Sequence, residues 1–184
     1  LTVIQGHTSL LRVTQSLTSD ASNSLAKIAL AADRAGNFRM VARTVVLDTV
    51  PPALTTVSTQ DSNGDGYIDR LVLTFSENVD AATIVPGSYS VSAGTISGVL
   101  DNGAPGDAVI WVNLVDGVLR TDAVPTQSIA AGGIQDLEGN ANAAVVNHAS
   151  VDTAPPVILS ATSTVSSTDL TVFFIEPVGA APGP

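Results

Sequence analysis

The sequence predicts an all-β protein built of tandem sandwiches, one complete module flanked by parts of two others. Three observations carry this expectation. The first is composition: of 184 residues 45% are hydrophobic but only 4% aromatic, and the excess of Val, Ala, Thr and Ser favours strands over helices. The second is patterning, because short alternating apolar runs are separated by Gly, Asn and Asp turns, with no amphipathic helical rhythm. The third is an internal repeat. Asp48-Thr49-Val50-Pro51-Pro52 returns as Asp152-Thr153-Ala154-Pro155-Pro156, 104 residues later. Upstream of each lies a matching turn, Asp33-Arg34-Ala35-Gly36-Asn37 and Asp136-Leu137-Glu138-Gly139-Asn140. Downstream, the run from Leu71 through Phe75-Ser76-Glu77-Asn78-Val79 is echoed by the run from Leu170 through Phe174-Ile175-Glu176-Pro177-Val178. Three landmarks in the same order at a near-constant period describe a tandem array.

A period near 100 residues with short strands and frequent turns points to an immunoglobulin-like β-sandwich. D-x-A-G-N before a final strand, then D-T-x-P-P, then a strand ending F-S-E-x-V-D, occupies residues 33–37, 48–52 and 75–80. In these motifs the chain resembles the bacterial Ig-like repeats of surface-layer (S-layer) proteins and large cell-surface adhesins. The resemblance implies an extracellular, cell-surface place. It also implies a structural role as spacer or lattice element, with neighbouring modules as partners and self-assembly into a lattice or filament.

Residues 1–47 read as the C-terminal part of a first module. Within it 24–30 form the penultimate strand, with Leu25 and the Ile28/Leu30 pair turned inward. Gly36-Asn37 make the turn, since both tolerate positive φ. The last strand is 38–47, with Arg39 and Arg43 sharing a solvated face. Residues 48–52 form a linker whose prolines cannot donate ladder hydrogen bonds and hold Val50 extended, which makes a short, stiff joint.

Residues 53–151 make the complete module. Strands are expected at 54–59 and 68–75, then a next pair at 88–92 and 95–100. The strongest strand, 108–114, holds the only tryptophan, and 125–131 and 143–150 follow, joined through the turn at 136–140. Trp111 is read as a core or half-buried sandwich tryptophan, with a partner contact as the alternative. Residues 152–156 repeat the Pro-Pro linker, and 157–184 supply the N-terminal strands of a third module, ending in a loop-like tail from Gly179. Two strands bury no core by themselves, so this segment needs further sequence or a neighbour's strand. With Leu1 at its start and no signal peptide or 18-residue apolar run, the chain is expected to be a piece of a longer protein.

The chemistry concentrates in Asp61-Ser62-Asn63-Gly64-Asp65-Gly66-Tyr67-Ile68-Asp69. Oxygen side chains at alternate positions, with glycine at the sharp turn, are the working half of a calcium loop. Asp61, Asn63 and Asp65 take positions 1, 3 and 5, Gly66 position 6, the Tyr67 carbonyl position 7 and Asp69 position 9. Position 12, which calls for a bidentate Glu, is Val72, and a strand follows instead of a helix. A further ligand is therefore needed: water, if the ion lies within the module, or Asp152 or a third-module loop, if it lies at the junction. The competing reading is a polar turn whose side chains bond their own backbone. Pro52 and Glu77 are 25 residues apart, whereas Pro156 and Glu176 are 20 apart, so the third module lacks this loop. Asp101, Asp107, Asp116 and Asp122 form a second acidic group around the Trp111 strand, read as hairpin-turn residues or a second ion site.

The remaining composition narrows the function classes. Seventeen acidic residues against seven basic give a formal charge of −10, which repels phosphate backbones and argues against nucleic-acid binding. The absence of cysteine excludes disulfides and thiolate metal sites. His7 and His148 fall in different modules, and no nucleophile elbow, H-E-x-x-H helix or phosphate-binding glycine loop is present, so no enzymatic activity is expected. Two other readings compete with a surface-layer or adhesin repeat. One is a filament subunit assembled by inter-chain strand complementation. The other is an accessory module of a secreted hydrolase, for which an exposed aromatic platform would be diagnostic.

Overall fold

A computed structural model describes residues 48–166 and 168–179, together with the strand residues of 1–47. The protein is all-β, and its strands divide between two compact units, Leu1–Val50 and Pro51–Pro184. The first unit holds β1 (Thr2–Val3), β2 (Val13–Thr14), β3 (Ser24–Ile28), β4 (Ala31–Ala32), β5 (Phe38–Arg39) and β6 (Arg43–Leu47). These pair antiparallel as β1–β2, β3–β6 and β4–β5, with Ser24 opposite Leu47 and Ile28 opposite Arg43. The expected turn at Gly36-Asn37, its Asp33, and the side-chain facing of Leu25, Ile28, Leu30, Arg39 and Arg43 lie outside the described residues.

The second unit continues with β7 (Leu54–Gln60), β8 (Arg70–Phe75), β9 (Val79–Asp80), β10 (Tyr89–Val91), β11 (Ile96–Asp101) and β12 (Val109–Leu114). Then follow β13 (Gln127–Ile129), β14 (Gln135–Asp136), β15 (Val145–His148), β16 (Ile158–Ser163) and β17 (Leu170–Phe174). A four-stranded antiparallel sheet runs in the order β11-β12-β8-β7, and a three-stranded one in the order β10-β13-β15. Strict alternation explains their burial: Leu71, Leu73 and Phe75 of β8, and Ile110, Val112 and Leu114 of β12, all point inward. They meet Tyr89 and Ile129 from the other sheet, with Val57, Ile68, Val79, Val99 and Ile134, in one core. Two sheets closing on a common core is the sandwich solution for amphipathic strands. Burial pushes the Tyr89 phenol well above its ordinary range, and its hydroxyl reaches the Gly133 carbonyl at 3.4 Å.

One expectation needs correcting. The strands at 88–92 and 95–100 are not a pair: β10 belongs to the three-stranded sheet and β11 to the four-stranded one. The chain crosses between sheets at residues 92–95, where Gly94 takes φ +82°. Both segments are strands as expected, but a strand's local pattern does not say which neighbour it will choose.

Beyond the sandwich, β16 and β17 form a hairpin whose register repeats that of β7 and β8. Leu54 faces Phe75 and Thr59 faces Leu71, with an irregularity between Leu54 and Thr56. Ile158 faces Phe174 and Ser163 faces Leu170, with an irregularity between Ile158 and Ser160. Even the closing bonds match, Ser76 N–H to the Ala53 carbonyl and Ile175 N–H to the Val157 carbonyl. The environments differ: Leu71 is 0% exposed, and its counterpart Leu170 is 65% exposed.

That contrast predicts two different outcomes for one substitution. Leu71→Ala is expected to lower stability by about 2–5 kcal/mol through transfer and cavity terms. Leu170→Ala is expected to change it by less than about 0.5 kcal/mol, as an exposed position does. Urea unfolding of the full chain followed by Trp111 fluorescence separates the two.

Candidate cation loop and module joint

Residues 61–69 connect β7 to β8, and both ends of the loop are pinned. Asp69 N–H donates to the Gln60 carbonyl at 3.1 Å, Ile68 N–H donates to the Leu119 carbonyl at 2.8 Å, and the Ile68 side chain is fully buried. Between these anchors Gly64 and Gly66 adopt φ of +75° and +95°, conformations that disfavour any residue with a Cβ. The acidic side chains then fold the backbone around themselves. The Asp61 carboxylate accepts Gly64 N–H at 2.7 Å and Gly66 N–H at 2.8 Å. Asn63 Oδ1 accepts Asp65 N–H, and Asp65 Oδ1 accepts Tyr67 N–H, each at 3.0 Å. Asp69 accepts both the Ser62 N–H and the Ser62 hydroxyl.

This network has the Asx geometry of a polar turn, and its donor chemistry also suits a hard cation. Each carboxylate oxygen offers more than one lone pair, so accepting one N–H leaves room for an ion. An all-oxygen set with three carboxylates is what calcium takes. Among the described residues the oxygens of Asp61, Asp65 and Asp69 do not all lie within 4.8 Å of one another, so an ion would have to draw them inward. The structure adds a group that the sequence reading had placed elsewhere. Asn63 Nδ2 donates to Asp116 Oδ2 at 2.9 Å and to Asp65 Oδ2 at 3.3 Å. Asp116 stands 53 positions from Asn63 in the chain and reaches the loop because β12 delivers its turn there. No local sequence signal could have paired them.

The other candidates sit as follows. Asp152 Oδ1 accepts the Thr59 hydroxyl at 3.4 Å and Ala154 N–H at 3.2 Å. Among the described residues no three of Asp101, Asp107, Asp116 and Asp122 converge within 4.8 Å. Asp107 instead holds its turn, accepting Asn102 Nδ2 and Val109 N–H, both at 2.8 Å. Asp136 is 2% exposed and accepts Glu138 N–H, Asn140 N–H and Asn140 Nδ2. Its carboxylate also approaches Glu77 within 4.8 Å. Trp111 is half-buried on the outer face of the four-stranded sheet, and the Arg70 guanidinium lies 3.9 Å from its ring centroid. Arg70 is held there by Asn113 Oδ1 at 3.1 Å and Gln60 Oε1 at 3.3 Å, so that ring face is already covered. His148 lies half-buried on β15, opposite Gln127, and His7 falls outside the described residues.

The Asp152-Thr153-Ala154 segment is fastened to β7. Val151 forms a parallel bridge with Ser58, and Thr153 N–H donates to the Thr59 hydroxyl at 3.1 Å, while the Thr153 hydroxyl donates to the Thr59 carbonyl. Ala154 is 7% exposed and joins the core. The hairpin beyond it touches the loop. A Cβ on Gly66 would meet Ile175 Cδ1 at 2.6 Å, and Arg120 donates to the Ile175 carbonyl at 3.2 Å.

No family model and no solved structure matches the chain. Over 95 residues, 52% of its length, the chain is 33% identical to an "Outer cell wall protein" of Brevibacillus brevis (strain 47 / JCM 6285 / NBRC 100599). The match spans 9% of that protein's length. This distant, partial similarity suggests a cell-surface protein. Among the described residues no helix is long and apolar enough to cross a membrane.

The two loop glycines should respond differently to an added methyl group. Both pay about 1–2 kcal/mol for a non-glycine residue at positive φ, but Gly64 has open space around it and Gly66 has Ile175 against it. Gly66→Ala is therefore expected to lower the urea midpoint further than Gly64→Ala. Equal losses would show that the Ile175 contact carries no weight.

Proposed function

We propose that the chain is a structural, calcium-binding segment of tandem Ig-like repeats from an extracellular bacterial surface-layer protein or long adhesin. It acts as a rigid spacer or lattice element. The observation that carries this reading is the shared register of β7–β8 and β16–β17, joined by a repeated D-T-x-P-P segment bonded to β7. Similarity to an outer cell wall protein supports the location. A repeat whose linker is hydrogen-bonded into its predecessor transmits orientation along the array, unlike a flexible tether.

In this reading Asp61, Asn63, Asp65 and Asp69 supply side-chain oxygens and Tyr67 its carbonyl to one calcium ion. Asp152 is occupied with Thr59 and its own segment, which favours an ion held within the 53–151 module. The ion supplies charge neutralisation to a loop that otherwise gathers like charges. No residue here is assigned a catalytic role. A second reading, a filament joined by strand complementation, is favoured by the exposure of Ile158 and Leu170 on the β16–β17 hairpin, since a two-stranded hairpin with exposed apolar residues suits the addition of a further strand.

Calcium at about a hundredfold excess over its Kd is expected to stabilise the folded chain by about 2.7 kcal/mol. Thermal unfolding with calcium and with chelator measures the corresponding rise in midpoint. Asp65→Ala should abolish it. An unchanged midpoint in the parent chain leaves 61–69 as a polar turn.

A further inference from the structure

We infer that Asn102, in the connection between β11 and β12, is a site of spontaneous covalent modification, where the folded chain converts an amide that holds its own turn into a carboxylate. The inference goes beyond the structural reading above and needs no ion. In the reaction the Gly103 backbone nitrogen attacks Asn102 Cγ. A new C–N bond forms, the Cγ–Nδ2 bond breaks, and ammonia leaves with the former Gly103 amide proton. Water then opens the succinimide ring, giving aspartate if it adds at Cγ and isoaspartate if it adds at the backbone carbonyl. Overall one water is consumed and one ammonia released, with no change of oxidation state.

Asn-Gly occurs twice in the chain, at 63–64 and 102–103, and the structure treats the two pairs differently. Sterics do not separate them, since a Cβ on either glycine would meet nothing within 4 Å. Nor does the side-chain oxygen. Asn63 Oδ1 accepts Asp65 N–H at 3.0 Å and Asn102 Oδ1 accepts Ala104 N–H at 2.8 Å. Each donor stabilises the negative charge that this oxygen gains when the nitrogen adds to Cγ. The attacking nitrogen makes the difference. Gly64 N–H is held by Asp61 Oδ1 at 2.7 Å, and that anion opposes the charge the nitrogen takes on as it loses its proton. Asn63 Nδ2 is further tied to both Asp65 and Asp116. Among the described residues no hydrogen bond engages the Gly103 N–H, and Gly103 is exposed to water.

The product would not fit its surroundings as the amide does. Asn102 Nδ2 donates to Asp107 Oδ2 at 2.8 Å. A carboxylate has no N–H to give, so conversion replaces that bond by two like charges at the same range. Isoaspartate also adds a methylene to the main chain of the turn. Asp107 is tied onward: its Oδ1 accepts Val109 N–H at 2.8 Å, and its carbonyl accepts Val79 N–H at 2.8 Å. Next to it the Ala108 carbonyl accepts Phe75 N–H at 2.8 Å. Modification at Asn102 therefore loosens the corner where β8, β9 and β12 meet.

The test ages the full chain in mildly alkaline buffer containing chelator, folded and in urea, and follows each site by mass spectrometry. Trypsin places the two pairs on separate peptides, 44–70 and 71–120, because cleavage follows Arg43, Arg70 and Arg120. In the folded chain Asn102 is expected to convert about tenfold faster than Asn63, the factor that one hydrogen bond is worth. In urea the two rates should converge, and isoaspartate should appear at both sites. Asn102→Asp, which installs one product directly, should lower the urea midpoint, whereas Asn102→Ser, which removes the amide without adding charge, should lower it less. Equal rates in the folded chain, or faster loss at Asn63, overturn the inference. Equal midpoints for the two variants overturn the like-charge effect on the corner.

Discussion

The second unit depends on the register of β8 between β7 and β12. With Leu71 opposite both Thr59 and Val112, and Leu73 opposite both Val57 and Ile110, every inward residue of three strands meets the same core. A slip of one residue would turn Leu71, Leu73 and Phe75 outward, losing about 1.5–3 kcal/mol for each large side chain exposed. That register also dictates where the connection 61–69 begins and ends. Its last ladder rung is Gln60 opposite Arg70, and Ile68 is drawn into the core just before it. The loop is thus a short polar arc with apolar anchors, and its geometry is inherited from the sheet.

The repeated motifs gain a physical meaning from the bonds they make. In D-x-x-G-N the aspartate, Asp136, caps its own turn through three donors, and Gly139 supplies the φ of +92° that the turn needs. In D-T-x-P-P, Thr153 exchanges hydrogen bonds with Thr59 across the strand edge while Ala154 fills the core. The prolines that follow have no N–H to leave unsatisfied where the ladder ends. Each residue type thus does what its side chain is suited to, and together they end one sandwich and launch the next hairpin in a defined direction.

How far the sequence could be read follows from the range of the interactions involved. Alternation is local, so 54–59, 68–75 and 108–114 were legible as strands and lie within one or two residues of β7, β8 and β12. The presence of strands at β16 and β17 was legible because that stretch echoes a segment already present in the chain. The separation of β10 from β11 was not, because sheet membership depends on distant partners, Ile129 for Tyr89 and Leu114 for Ile96. The short bridge of β9 with β14 is too brief to leave a periodic signal. At the loop, Asp61, Asn63, Asp65 and Asp69 were legible as a motif, whereas Asp116 and Ile175 were not, since each arrives from another turn of the fold.

The same bonds that organise the loop bear on how strongly an ion could be held. Asp61 accepts two backbone N–H groups, and Asn63 and Asp65 accept one each, so much of the ordering entropy is met before any ligand arrives. Those N–H groups also soften the repulsion among carboxylates, which reduces what a cation would gain by neutralising them. Pre-ordering strengthens an ion site and prior neutralisation weakens it, and an exposed loop in a chain of net charge −10 adds only a screened long-range attraction. If the loop binds calcium as proposed, this balance would place the affinity at the weak, millimolar end of the range. On the proposed calcium reading, an ion held that loosely would act as a mechanical stiffener of the loop rather than as a permanent part of the fold.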